Sequence, residues 1–270
     1  MLEIIENKIK EVKIRDEKIN ILREFLQILI LKLLRDKNAF SNIAFIGGTS
    51  LRILYNLKRY SEDLDFSLTK KKGFHFLNLL EQLRKELELF NIQVELKYKE
   101  GIVCNSFIRF NNILQTYNLH HHRDEKLSIK LEIDTNPPGG ANVEEKIINE
   151  EFIFNLIAYD LPSLMAGKLH AVLCRKYTKG RDFYDLLWYL TKKITPNIKL
   201  LNNSIVRTEK EDWEITQKNW KELLLKKIKN IDYKKVQKDV YPFLQTKEES
   251  DLLKFDTYEK LLLYNSSTDM

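Results

Sequence analysis

The chain has 270 residues, 43% of them apolar and 31% charged, with a formal net charge of +6. That is the make-up of a soluble globular protein long enough to bury a real core, as one large domain or two modest ones. Its two cysteines, Cys104 and Cys174, have no paired spacing, which excludes a disulfide framework and a cysteine zinc site and fits a reducing cytoplasm.

The first ten residues, MLEIIENKIK, mix acids with lysines and do not read as a signal peptide. Residues 16–37 have helical spacing. Their most apolar run, FLQILILKLL from Phe25 to Leu34, is too short to span a bilayer, which needs roughly 20 residues, and reads as the buried side of a helix. No membrane association is expected. IAFIGGTSLR follows, an apolar run, a glycine pair and a fresh apolar period: strand, turn, helix. DLDFSL, Asp63 to Leu68, alternates acid and apolar residues at the strand period. A helix is expected around Phe74–Phe90. Strands are expected over IQVELKYK, IVCNSFIRF and KLSIKLEID, with Asn118–Glu125 as the hairpin loop between the last two. Asn136-Pro137-Pro138-Gly139-Gly140 ends the third, and a further strand is expected at Phe152–Ala158. From Leu161 onward the pattern is helical: SLMAGKLHAVLCRKY, RDFYDLLWYL, then segments around 210–229, 233–240, 248–255 and 257–265. The expected fold class is α+β, a mixed sheet with flanking helices followed by a helical domain. The boundary is placed at 157/158, giving a core with its N-terminal helix over 1–157 and helices over 158–270.

Three segments carry chemistry. On a strand Asp63 and Asp65 point to the same side, about 5–6 Å apart. Their repulsion is about 3 kcal/mol at an effective dielectric near 20. A divalent cation offsets it, and Mg²⁺ takes one or two carboxylates plus phosphate oxygens and water; one raised pKa is the alternative. Gly47-Gly48-Thr49, between strand and helix, lets backbone approach a ligand, and Thr49 and Ser50 add hydroxyls, so the turn can cradle phosphate; alone it is also a plain tight turn. In Lys130-Leu131-Glu132-Ile133-Asp134 the three charged residues share a face. A carboxylate there can complete a metal triad or take a proton, and Lys130 can meet a phosphate; alone the segment is an exposed charged strand face. His120, His121 and His122 are consecutive and diverge, which suits chelation poorly.

The order of these pieces resembles the DNA-polymerase-β-like nucleotidyltransferases. GGTSLRILYNLKRYSEDLDFSL, IKLEID and SLMAGKLHAVLCRKYTKGRDFYDLLWYL together resemble the AbiEii/AbiGii toxin family over roughly residues 40–190. The resemblance implies that Gly47, Gly48 and Thr49, with Ser50, hold nucleotide phosphates and that Asp63 and Asp65 bind Mg²⁺, one ion or two. It puts the third acid at Glu132, with Asp134 as the runner-up, and Lys130 beside it. Lys168 falls on the family's helical lysine, expected near the triphosphate. Arg181, Asp182 and Asp185 fall on its R-D-x-x-D element, and Arg59 and Ser61 on the segment leading into D-x-D. Lys168 and Arg175 share a helix face, as do Asp182 and Asp185; the acids either orient the cations or contact the nucleotide, or the set is an internal salt-bridge cluster, with Arg59 pairing an acid of the second part.

The implied function is that of a Mg²⁺-dependent nucleotidyltransferase toxin of a bacterial toxin–antitoxin or abortive-infection system. NMP would pass from an NTP to an acceptor hydroxyl, foremost the 3′ end of tRNA, with the helical domain completing the active-site cleft and a cognate antitoxin as partner, not necessarily in a stable complex. The basic surplus is compatible with RNA. Transfer to a protein or small-molecule hydroxyl is the rival, and a non-catalytic nucleotide or RNA binder the second class.

Overall fold

The computed structural model describes residues 2–122, 124–211 and 213–264. The chain opens with α1 (Leu2–Lys10) and α2 (Arg15–Asp36). From Phe25 to Leu34 almost every residue of α2 is buried, including Ile28, Leu29, Ile30 and Leu31 in succession. A helix apolar on all sides must be enclosed by protein, and α2 forms the spine of the core.

After α2 come β1 (Ile43–Ile46), α3 (Gly47–Tyr55), β2 (Leu64–Leu68), α4 (Phe76–Leu89), β3 (Val94–Lys99), β4 (Val103–Phe110), the short α5 (Ile113–Thr116), β5 (Leu127–Asp134), β6 (Val143–Asn149) and β7 (Ile153–Tyr159). The strands form a seven-stranded mixed sheet in the order β3-β4-β5-β2-β1-β7-β6. β2 runs antiparallel to β1 and parallel to β5, and β4 is antiparallel to both β3 and β5. Alternation decides the faces. In β2 Leu64 and Phe66 are buried while Asp65 is half-buried, and in β5 Leu127, Ile129, Leu131 and Ile133 are buried while Lys130, Glu132 and Asp134 are half-buried. One face joins the core with α2 and α4, and the other carries the charges.

The second part is helical: α6 (Leu161–Cys174), α7 (Gly180–Thr191), α8 (Ile198–Glu209), α9 (Trp220–Ile228), α10 (Tyr233–Val240) and α11 (Phe255–Tyr264). Asp160 caps α6 by accepting from the Ser163 N–H at 2.8 Å, a contact worth about 1 kcal/mol. Gly180 opens α7 where a Cβ would come within 2.3 Å of the Val236 carbonyl oxygen, so only glycine lets α7 and α10 approach this closely. Its N–H donates to Asp239 at 2.6 Å.

The chain divides into two compact units. One holds residues up to Asn56, Tyr60–Pro137 and Glu144–Ala158; the other holds Leu57–Arg59, Pro138–Val143 and the chain from Tyr159 onward. Three departures from the sequence expectation are physical. β6 reads VEEKIIN, with Ile148 its one buried residue, because it is a sheet edge with no apolar stripe to read. α8 was hidden by Asn202, Asn203 and Ser204, poor helix formers in its middle. The helix expected at 210–229 begins only at Trp220, after a turn in which Thr216 and Asn219 exchange side-chain-to-backbone hydrogen bonds of 2.7 and 3.2 Å. Within the expected Asn118–Glu125 loop, the 210–229 helix and the 257–265 helix, Arg123, Asp212 and Asn265 lie outside the described residues.

Candidate active site

Asp65 is the residue around which the sheet unit's charged face is built. Gly47, the first residue of α3, has φ +82°, and a Cβ on it would lie 2.3 Å from Asp65 Oδ2. The Asp65 carboxylate therefore occupies the space that any other residue would fill. Ile46 of β1 is in register with Asp65 on one side, and Glu132 of β5 on the other. Asp134 is in register with Ser67 and its Oδ1 accepts from the Asn136 N–H at 2.9 Å, closing the turn after β5.

Asp63, one residue before β2, is pinned through its backbone. Thr49 donates its hydroxyl to the Asp63 carbonyl. Gln27, buried in α2, donates to the Ser61 carbonyl at 3.1 Å and fixes the approach to the acid pair. Ser50 donates to the Gly47 carbonyl at 2.8 Å. Both hydroxyl residues of the glycine turn are fully buried, so they hold the turn, and what it can offer a ligand is main-chain N–H at the start of α3. Gln27 is the positioning residue that motif reading missed; a lone amide inside FLQILILKLL was its signal.

Lys130 Nζ lies 2.8 Å from Glu132 Oε1 and 5.8 Å from the centre of the Phe107 ring. Beside Asp63 opens a cavity of about 230 Å³ lined by Arg23, Asp63, Phe107, Leu114, Ser128 and Lys130 among others. Asp63, Asp65 and Glu132 are hard oxygen donors of the kind a divalent cation takes. Among the described residues no three His, Cys, Asp or Glu side chains are already gathered as a metal-binding group; Glu132 is turned to Lys130. His120, His121 and His122 are all exposed.

Gly47→Ala tests how tightly the turn and the acid are matched. Left-handed backbone costs a non-glycine residue about 1–2 kcal/mol, and the added Cβ displaces the Asp65 carboxylate. The expected outcome is a modest fall in melting temperature with at least about a tenfold loss of turnover, since misplaced catalytic groups are costly. Wild-type turnover in Gly47→Ala would separate Asp65 from the chemistry.

In the helical unit Arg59, Lys168, Arg175, Asp182 and Asp185 form one ion cluster. Arg59 Nε and Nη2 both donate to Asp185 at 2.6 Å, with both residues buried. Lys168 Nζ reaches Asp182 at 2.9 Å and Asp185 at 2.8 Å, and Arg175 pairs with Asp182. Burial alone would raise the Asp182 pKa, but Lys168 and Arg175 outweigh it and hold the carboxyl below its ordinary range. Burial likewise opposes the charge on Lys168, and Asp182 and Asp185 more than restore it. Among the described residues these three cations pair with the two acids, and Lys179 adds further positive charge near Asp182. Arg181, at the start of α7, stacks 4.2 Å over the Phe243 ring.

The model of the nucleotidyl transferase AbiEii toxin, type IV toxin–antitoxin system, matches residues 30–259. The chain belongs to the AbiEii nucleotidyltransferase toxin family. As an AbiEii member it is a nucleotidyltransferase of a type IV toxin–antitoxin system, with a nucleotide substrate and an antitoxin partner. Nucleotidyltransferases of this kind generally work with an NTP and a divalent metal. Two solved structures share the AbiEii chain's fold. JHP933 from Helicobacter pylori is 20% identical at a TM-score of 0.52, covering 92% of this chain and 94% of its own. A protein assigned as a nucleotidyltransferase, also from H. pylori, is 20% identical at a TM-score of 0.54, covering 90% and 97%. No curated protein matches. Among the described residues no helix is long and apolar enough to cross a membrane.

Proposed function

We propose that this AbiEii protein transfers NMP from an NTP to the terminal hydroxyl of tRNA in the cytoplasm, with Mg²⁺ as its metal and Asp63, Asp65 and Glu132 as the metal's carboxylates. The observation that supports this reading most is the register that sets Glu132 beside Asp65 while Asp65 lies over Gly47. The same register favours Glu132 over Asp134, whose carboxylate serves the following turn. When bound, Mg²⁺ supplies charge neutralisation on the phosphates.

The chain's own residues do the rest. Gly47 and Gly48 offer main-chain N–H groups to phosphate oxygens, and Thr49 and Ser50 keep that turn rigid against Asp63. Lys130 orients Glu132, which accepts the proton of the attacking hydroxyl. A bond forms from that oxygen to the α-phosphorus, the α–β phosphoanhydride breaks, and pyrophosphate leaves. In the helical unit Lys168 and Arg181 are the cations assigned to phosphate, with Asp182 and Asp185 orienting Lys168.

The test uses each of four α-labelled NTPs with Mg²⁺, offered to total tRNA and to total protein. Label in tRNA, dependent on Mg²⁺, is the expected result and identifies the nucleotide. Label in protein alone replaces tRNA as acceptor, and label in neither overturns the acceptor assignment.

A further inference from the structure

The open face of the sheet continues beyond the acids, and its residues fall in rows. Lys97 of β3 is in register with Phe107 of β4, which is in register with Lys130 of β5. On the next strand comes Asp63, just before the Leu64–Leu131 pair. From the sheet edge inward the row reads lysine, phenylalanine, lysine, then the acid. Phe107 lies two strand spacings from Asp63, about 10 Å. Its ring is 38% exposed on an inner strand, where a buried or polar side chain would be ordinary. The same ring and Lys130 line the cavity that opens at Asp63.

On these three strands Lys97, Lys99, Arg109 and Lys130 share the face with Glu95, Glu132 and Asp134, an excess of one positive charge. Glu95 is engaged by Lys126 at 2.9 Å, and Glu132 by Lys130 at 2.8 Å. Lys97 and Lys99 are both exposed, and Lys97 lies near enough to Glu95 to act on it. An exposed ring between lysines on an open sheet is how proteins hold single-stranded nucleic acid: bases stack on the ring and phosphates meet the cations. The glycine turn lies on the other side of the acids, beside β1, which leaves the β5 and β4 side for the acceptor.

We propose that the β3–β4–β5 face is a platform for the single-stranded 3′ end of an RNA, with Phe107 stacking a base near the terminus and Lys97 and Lys99 meeting its phosphates. This rests on the proposed transfer to RNA and adds where the acceptor lies and which residue holds it.

The experiment is fluorescence anisotropy of the full-length protein with a short 5′-fluorescein-labelled single-stranded RNA, in chelator and without NTP. The wild type should bind with an affinity that falls as salt rises. Phe107→Ala should weaken binding by at least about fivefold, the low end of what one stacked base contributes, and Phe107→Trp should restore it. Lys97→Glu should weaken binding and flatten the salt dependence. Tyr98→Ala is the control: Tyr98 is 55% exposed but is in register with Ser106, on the opposite face; it should bind as the wild type. Equal affinity of Phe107→Ala and wild type, or no RNA binding by the wild type, overturns the platform. Asp63→Ala separates the two readings, because it should bind the RNA fully while transferring nothing. Transfer to RNA without dependence on Phe107 sinks the platform alone, and Phe107-dependent binding without transfer by the wild type sinks the catalytic reading alone.

Discussion

Asp63→Ala should lower nucleotidyl transfer by at least about a thousandfold, on the order of 4 kcal/mol of transition-state stabilisation, while the protein still folds. The fold survives because the Asp63 side chain is half-buried on the charged side of the sheet and the bonds that hold its backbone come from Thr49 and, two residues earlier, from Gln27. Alanine keeps that carbonyl and removes only the carboxylate. Label incorporation, paired with a circular-dichroism melt of the same preparation, checks both halves. Full activity with an unchanged melt would mean that the acid pair does not carry the reaction.

Arg59→Ala should be the most destabilising single change in the helical unit, costing about 3–5 kcal/mol in urea unfolding. The guanidinium makes a two-pronged contact with a carboxylate that has no exposure of its own, and Lys168 alone would remain to balance Asp185. Arg59→Lys should rescue only part of the loss, since an ammonium cannot reproduce the fork. The same cluster sets an acid limit. Asp182 titrates lower when folded than when unfolded, so its contribution is present above the ordinary aspartate range near pH 4 and lost as pH falls through its depressed value. Urea midpoints measured from neutral pH downward should hold until about pH 4 and then drop. A midpoint unchanged in Arg59→Ala would show that the buried pair adds nothing.

Much of this architecture was legible in the residues. The alternation over Asp63–Leu68 and over Lys130–Asp134 marks both strands and tells which side chains leave the core, because a strand's period of two permits no other assignment once Leu64, Phe66, Leu131 and Ile133 are buried. The glycine pair marks the strand-to-helix turn, and Arg59 was readable as the partner of an acid far along the chain. What was hidden depends on neighbours. β6 has no apolar face to betray it, and α8 is held by packing rather than by propensity. Within the site, strand spacing cannot say that β5 lies beside β2, and that adjacency is what separates Glu132 from Asp134. Nor can it say that Phe107 lies next to Lys130, since a hairpin's pairing becomes known only when its register is.

The three residues Leu57–Arg59 belong to the helical unit although the bulk of that unit begins a hundred positions later. Modularity is limited accordingly. A fragment cut at residue 158 would carry Arg59 without its acid, and a graft of residues 159–270 onto another scaffold would carry Asp185 without its arginine. A transplant of either unit therefore has to carry the Arg59 stretch together with the helices. Shuffling between relatives should succeed only when the short stretch ahead of Asp63 travels with the helices, and recombination breakpoints in such genes should avoid the interval between them.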